Sequence, residues 1–371
     1  MDRVRFTSLD VFRGLAICLM IVVNTQGAGA KPYPLLEHAD WFGFTAADIV
    51  FPSFLFATGN ALAFGSRLSE SDFWIKTLRR TAIIFALGVL LYWFPFVQHT
   101  GAGWVMKPFS DTRILGVLQR IALCYCLTAI AARYLGVRGL IVLSLILLFG
   151  YWTVLIYAGP AGEQLSKAHN IGNAVDLAIL GQAHLYKWDD GFEPEGLLGT
   201  LPATVNVIWG YLAGLYIRKH TPSRFVAMRF LAAGVVLIVL ALGWNTVFPI
   251  GKKLWTSSFV LLTVGIDLVV LCGLISLIDL SSFRDKGRAV VRFFEIFGKN
   301  PLIIYLFSEL LIVLLWMIPI ESVDSWTWIG TTLFQPVMPG ALGALACALA
   351  YTFVCWLVAW GMDTRKIVIK V

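Results

Sequence analysis

Long apolar stretches broken by short polar punctuation dominate this chain. Ten such stretches run over about 9–27, 47–66, 79–97, 114–134, 139–157, 197–217, 225–246, 257–278, 300–318 and 341–361. Each is roughly 18 residues or longer, enough for a helix to cross a hydrocarbon core of about 30 Å. The alternating pattern of a membrane barrel is absent. Backbone groups in lipid must then bond within their own segment, so the pattern predicts an all-α, polytopic bundle of about ten transmembrane helices. Proline and glycine clusters such as KPYP (31–34) and FQPVMPG (334–340) mark the turns between them.

The polar gaps carry an orientation. If the even-numbered gaps and the ends face one side, that side holds 21 of the 29 Lys and Arg residues. Such a bias marks the cytoplasmic side, so both termini are expected there. The first stretch follows basic residues as a signal peptide would, but it lacks a small-x-small cleavage site followed by a soluble domain and is read as a retained span. The longest outer segment, 158–196, holds Glu163, Asp176, Asp189, Asp190, Glu193 and Glu195. It reads as a loop with a short helix, a candidate lid on a single domain spanning 1–371.

Composition agrees: the chain is 58% hydrophobic and 14% charged, with a net charge of +7 and a mean hydropathy of +0.79. The positive charge follows the topology, so nucleic acid is not an expected partner and the lipid bilayer is. All six cysteines lie inside apolar stretches, with no disulfide or metal spacing. No Gly-x-Ser-x-Gly, Walker loop or His-x-x-x-His pair supports a hydrolase, NTPase or metal enzyme.

Polar groups inside spans are the candidates for chemistry, because they are costly there. They are Asp10, Arg13, Asn24, Asp48, Asn60, Arg120, Asn206, Asp267 and Glu309. TSLD (7–10) and TAAD (45–48) fit a capping pattern, which alone would explain Asp10 and Asp48. Arg120 lies seven residues after Arg113, near the same helix face, and could partner Asp48. Asn24 and Asn206 could join helices, and Glu309 and Asp267 could pair with an Asn or with backbone. His38 stands out in an outer gap beside Glu37, Asp40 and Asp48. A neutral imidazole there is suited to general-base work.

RFTSLDVFRGLAICLMIVVN (5–24), HADWFGFTAADIVFPSFLFATG (38–59), RILGVLQRIALCY (113–125) and FGKNPLIIY (297–305) together resemble the heparan-α-glucosaminide N-acetyltransferase family. That family includes the lysosomal enzyme and bacterial, NagX-like relatives. The resemblance implies a transmembrane acyltransferase that takes acetyl from cytoplasmic acetyl-CoA and delivers it to a glucosamine amine on the far side. It places the active-site histidine at His38 and a contributing asparagine at Asn24. The gap between these two is longer here than in the family pattern, and the large luminal amino-terminal extension has no counterpart, so the lysosomal enzyme's oligomer contacts are not carried over.

On this reading acetyl-CoA is the co-substrate, no metal is needed, and the acceptor is an amino sugar or another glycan. Asp48 or Asp40 orients His38, and Arg120 offsets the acid or contributes to binding acetyl-CoA. Arg13, Arg67, Arg79, Arg80 and Arg133 are candidates for the CoA phosphates, which arginine pairs with bidentately. The same arginines also set topology. A bacterial inner membrane and a possible homodimer complete the expectation. Direct transfer and a ping-pong route through acetyl-His38 both remain open. So do transfer to another cell-envelope acceptor and a proton-coupled N-acetylglucosamine transporter using Asp267 and Glu309. The transporter lacks the repeated halves and matched broken helices common in such proteins.

Overall fold

The computed structural model describes residues 6–26, 28–65, 68–101, 103–281 and 287–369; Arg67 lies outside them. Among the described residues are thirteen α-helices. They are α1 (Thr7–Asn24), α2 (Ala46–Ala63), α3 (Glu70–Trp93), α4 (Val117–Tyr134), α5 (Gly136–Tyr157), α6 (Ile171–Leu180) and α7 (Leu197–Lys219), followed by α8 (Arg224–Trp244), α9 (Ser257–Leu274), α10 (Arg288–Lys299), α11 (Pro301–Met317), α12 (Ser325–Ile329) and α13 (Ala341–Thr364). The sheet among the described residues is two hairpins: Val97–Thr100 with Gly103–Met106, and Pro319–Ile320 with Val323–Asp324.

Every one of the ten apolar stretches is helical. Among the described residues, seven helices are long and apolar enough to cross a membrane: α1, α2, α5, α7, α8, α9 with its continuation to Asp279, and α13. The pair α10 and α11, bent by 82°, makes an eighth if it is one span. The other two stretches form α3 and α4, whose length suffices but whose sequences include Lys76, Arg79 and Arg80, and Gln119, Arg120 and Arg133. Helix α3 also begins well before residue 79, because the Ser69 side chain accepts from the Asp72 N–H and starts the helix in polar sequence.

The chain divides into two compact units. The first takes Met1–His38, Thr45–Phe54 and Gly273–Lys370. Within it α1 packs directly on α10. A Cβ on Gly14 would lie 1.9 Å from the Phe294 carbonyl oxygen, and one on Gly298 would lie 2.3 Å from that of Asp10. The two backbones touch, and no side chain fits between them. Helix α10 ends at Asn300, whose conformation is extended out of the helical region (φ −129°, ψ 53°) before Pro301 opens α11. A residue before proline is driven out of that region, which explains the sharp bend.

The second unit takes Ala39–Phe44 and Leu55–Cys272. Its helices meet by the same device: Cβ atoms on Gly59 and Gly210 would each come within 2.0 Å of a carbonyl oxygen, of Val207 and Phe56 respectively. Segment 158–196, the candidate lid, belongs to this unit and is firmly tied down. Arg113 forms ion pairs with Glu193 and Glu195, and its guanidinium lies between the rings of Tyr92 and Tyr186, 4.8 and 4.4 Å from their centroids. Lys167 and Lys253 both pair with Asp189, at 2.6 and 2.8 Å. Trp41 donates to the Leu165 carbonyl at 2.8 Å and meets Phe192 edge-on.

Candidate functional site

The first unit brings His38 and Asp48 together. Helix α2 starts at Ala46, which makes Thr45 the capping position and Asp48 the third helical residue. The Thr45 N–H donates to Asp48 Oδ2 at 3.1 Å, and the Thr45 hydroxyl lies 3.1 Å from the same oxygen. This is the capping contact that TAAD predicts. The other oxygen, Oδ1, lies 2.9 Å from His38 Nδ1. Capping and orienting are therefore not rivals: one carboxylate does both, with a different oxygen for each. The Thr45 hydroxyl also donates to the Glu37 carbonyl at 2.6 Å, which ties the residue before His38 to the helix start.

The burial of the pair is asymmetric. The Asp48 side chain is fully buried, whereas that of His38 is 42% exposed. A carboxylate that accepts from Thr45 accepts from His38 as well, so Nδ1 carries the hydrogen. The neutral ring then holds its lone pair on Nε2. An imidazole oriented in this way can act chemically as a general base. Farther along α2, Pro52 has no N–H to offer the Asp48 carbonyl, so the helix ladder is broken one turn after the dyad.

Asn24, the last residue of α1, donates from Nδ2 to Glu309 Oε1 of α11 at 3.0 Å. The pairing of Glu309 with an asparagine, one of the sequence readings, is thus observed, and the asparagine is the one the family pattern singles out. Asp40 is exposed in its loop, and the carboxylate on His38 Nδ1 is that of Asp48.

The arginines divide by what they touch. Arg13 pairs with Asp10 at 3.0 Å on α1. Arg79 is exposed on α3. Arg80 lies over the Tyr125 ring, 4.5 Å from its centroid. Arg133 pairs with Glu70 at 3.1 Å and donates to the Leu68 carbonyl at 3.2 Å, so it clasps the start of α3 to the end of α4. Arg120 is only 1% exposed. It donates to the Gly196 carbonyl at 3.0 Å and lies over Trp255, 4.8 Å from the ring centroid. Trp255 in turn donates to Asn206, and Asn206 to Thr263, a buried polar chain through the second unit. The described contacts of Arg120 are all within that unit.

What sequence reasoning missed is the Arg113 cluster. Arg113 served only to phase Arg120, yet it gathers two buried carboxylates. Burial alone would push Glu195 up, but Arg113, Arg120 and Lys252 outweigh it and hold it below the usual carboxylate range. Burial pushes Asp176 up to about 6, against the Leu197 N–H it accepts at 2.8 Å and the nearby Arg120. The available signal was the density of acids in 158–196 beside a lone arginine.

Residues 6–362 match the family described as acyltransferase domain. The chain is 28% identical over 367 residues to the human heparan-alpha-glucosaminide N-acetyltransferase, a match that covers 82% of this chain and 53% of the human protein. The mouse protein of the same name is 27% identical over 367 residues, covering 83% of this chain and 54% of its own. The chain thus spans about half the length of the curated relatives it matches. It belongs to the acyltransferase-domain family and is related along most of its sequence to the heparan-alpha-glucosaminide N-acetyltransferases.

Proposed function

We propose that this chain is a membrane acetyltransferase that moves an acetyl group from cytoplasmic acetyl-CoA to the amine of a glucosamine-type sugar on the outer side, with His38 as general base. The observation that carries the reading is the His38–Asp48 pair, at 2.9 Å, anchored to the first turn of α2. The family membership and the names of the relatives supply the reaction class, and the charge distribution of the sequence supplies the direction.

In this mechanism the sugar amine attacks the thioester carbonyl carbon, and His38 Nε2 takes the proton the nitrogen loses. Asp48 holds the resulting imidazolium through Nδ1. The oxyanion of the tetrahedral intermediate is stabilised by a hydrogen of Asn24 Nδ2, a role in which one donor is worth roughly 10²–10³ in rate. Collapse of the intermediate breaks the carbon–sulfur bond, and the CoA thiolate leaves with the proton from His38. The CoA phosphates are assigned to arginines of the basic, cytoplasmic side, from the charge distribution of the sequence. Arg120 is assigned to holding the second unit's polar interior.

The test is acetyl transfer from labelled acetyl-CoA to glucosamine by the purified protein, with His38→Ala as control. Transfer abolished in the variant supports the reading, as does a rise in melting temperature with acetyl-CoA, since a ligand of the native state stabilises it. Transfer unchanged in the variant, or N-acetylglucosamine flux with no dependence on CoA, overturns it.

A further inference from the structure

Glu309 is the one acidic or basic residue in α11, set in the sequence FSELLIVLL. An acid in a span is expensive and marks function or a specific partner. Its observed partner is Asn24 Nδ2, at 3.0 Å across 285 residues of sequence. The scaffold around this contact is closely packed. Helix α1 is locked to α10 by the Gly14 and Gly298 backbone contacts. Helix α11 is held to α13 by the Tyr351 hydroxyl, which donates to the carbonyl of Ser308, the residue next to Glu309.

The chemistry of the pair is directional. An asparagine amide has a donor end and an acceptor end of nearly equal shape, and its orientation follows its partners. An ionised carboxylate offers acceptors only. It draws the NH₂ group toward itself and repels the amide oxygen. We infer that Glu309, in its ionised form, is a positioning residue: it fixes the Asn24 amide so that one Nδ2 hydrogen is spent on the carboxylate and the second remains for the acyl oxygen. This rests on the role given to Asn24 in the acyl transfer above. Ordinary inter-helix glue would be served equally well by a glutamine, which can bond to asparagine in either orientation. The acceptor-only character of the acid is what the positioning role needs.

Glu309→Gln therefore separates the two roles. It keeps size and hydrogen-bonding capacity but lets both amides flip together. Labelled acetyl-CoA and glucosamine are the probes, with the full chain in detergent or liposomes. The expected result is a fall in kcat between about tenfold and a hundredfold, less than the roughly 10²–10³-fold cost of losing an oxyanion donor outright. KM for acetyl-CoA and the melting temperature stay at wild-type values. In an Asn24→Ala background, Glu309→Gln has no further effect on kcat, because residues acting as one unit are not additive. Wild-type kcat in Glu309→Gln, with Asn24→Ala impaired, overturns the positioning role and leaves the acyl-transfer reading standing. Equal losses from Glu309→Gln in the two backgrounds overturn it as well. Full activity of Asn24→Ala overturns the role of Asn24 and the inference together.

Discussion

Asp48→Asn tests the dual duty of a single carboxylate. The wild-type side chain is fully buried and makes two contacts with Thr45 through Oδ2, both at 3.1 Å, and one with His38 through Oδ1, at 2.9 Å. Asparagine is isosteric, and its oxygen takes over the Thr45 contacts. Hydrogen bonds to a charged group are worth about 1.5–3 kcal/mol and neutral ones about 0.5–1.5, so the cap weakens by roughly 1–2 kcal/mol in all. The consequence at His38 is far larger. The NH₂ end now faces Nδ1, which must give up its hydrogen to accept. The proton moves to Nε2, and the base is lost. An enforced wrong tautomer lowers kcat by about 10⁴ in a Ser-His-Asp triad, and a loss on that scale is expected here. Thermal unfolding followed by tryptophan fluorescence measures the first effect, and labelled acetyl transfer to glucosamine measures the second. A stable Asp48→Asn protein within about tenfold of wild-type kcat would refute the reasoning and reduce Asp48 to a helix cap.

Two further perturbations address the second unit. Arg113→Ala strands Glu193 and Glu195 as buried carboxylates, and breaking a buried ion pair from one side costs about 3–5 kcal/mol; trypsin should nick 158–196 much faster than in wild type, and equal nicking rates would show that the arginine does not hold the segment. For Asp176, a carboxyl pushed up to about 6 binds more protons when folded than when unfolded, so its contribution to stability falls as pH rises from about 4 to about 6. Asp176→Asn keeps an acceptor for Leu197 without titrating, so its melting temperature relative to wild type should climb across that window and level off above it; a pH-independent difference would count against the buried carboxyl.

The helices were legible because apolar length is written directly in composition, and all ten stretches folded as helices. Their boundaries were less so. The start of α3 depends on Ser69, a local capping hydrogen bond that hydropathy does not register. Helix α10 was hidden in a basic gap, because RAVVRFFEIFGK is apolar on one face only and comes out nearly neutral on average. In the site, TAAD and the neighbouring His38 are local in sequence, so their meeting could be anticipated. That one carboxylate would serve both Thr45 and His38 could not, since it depends on which oxygen faces which partner. Asn24 and Glu309 were each conspicuous as polar residues in apolar runs. Their pairing was open because 285 residues separate them and Asn206 offered another partner.

The spacing of these two pairs has a consequence for biogenesis. His38 and Asp48 are ten residues apart. Closing so short a loop costs little chain entropy, and it needs only the first turn of α2. Asn24 must wait for Glu309, which is synthesised near the end of the chain. On the proposed mechanism, a nascent protein therefore carries the base long before the proposed oxyanion donor is set. If the donor is ordered only by that last contact, catalytic competence arrives with the carboxy-terminal helices, and a chain truncated before α11 would present an oriented histidine with no reaction to serve.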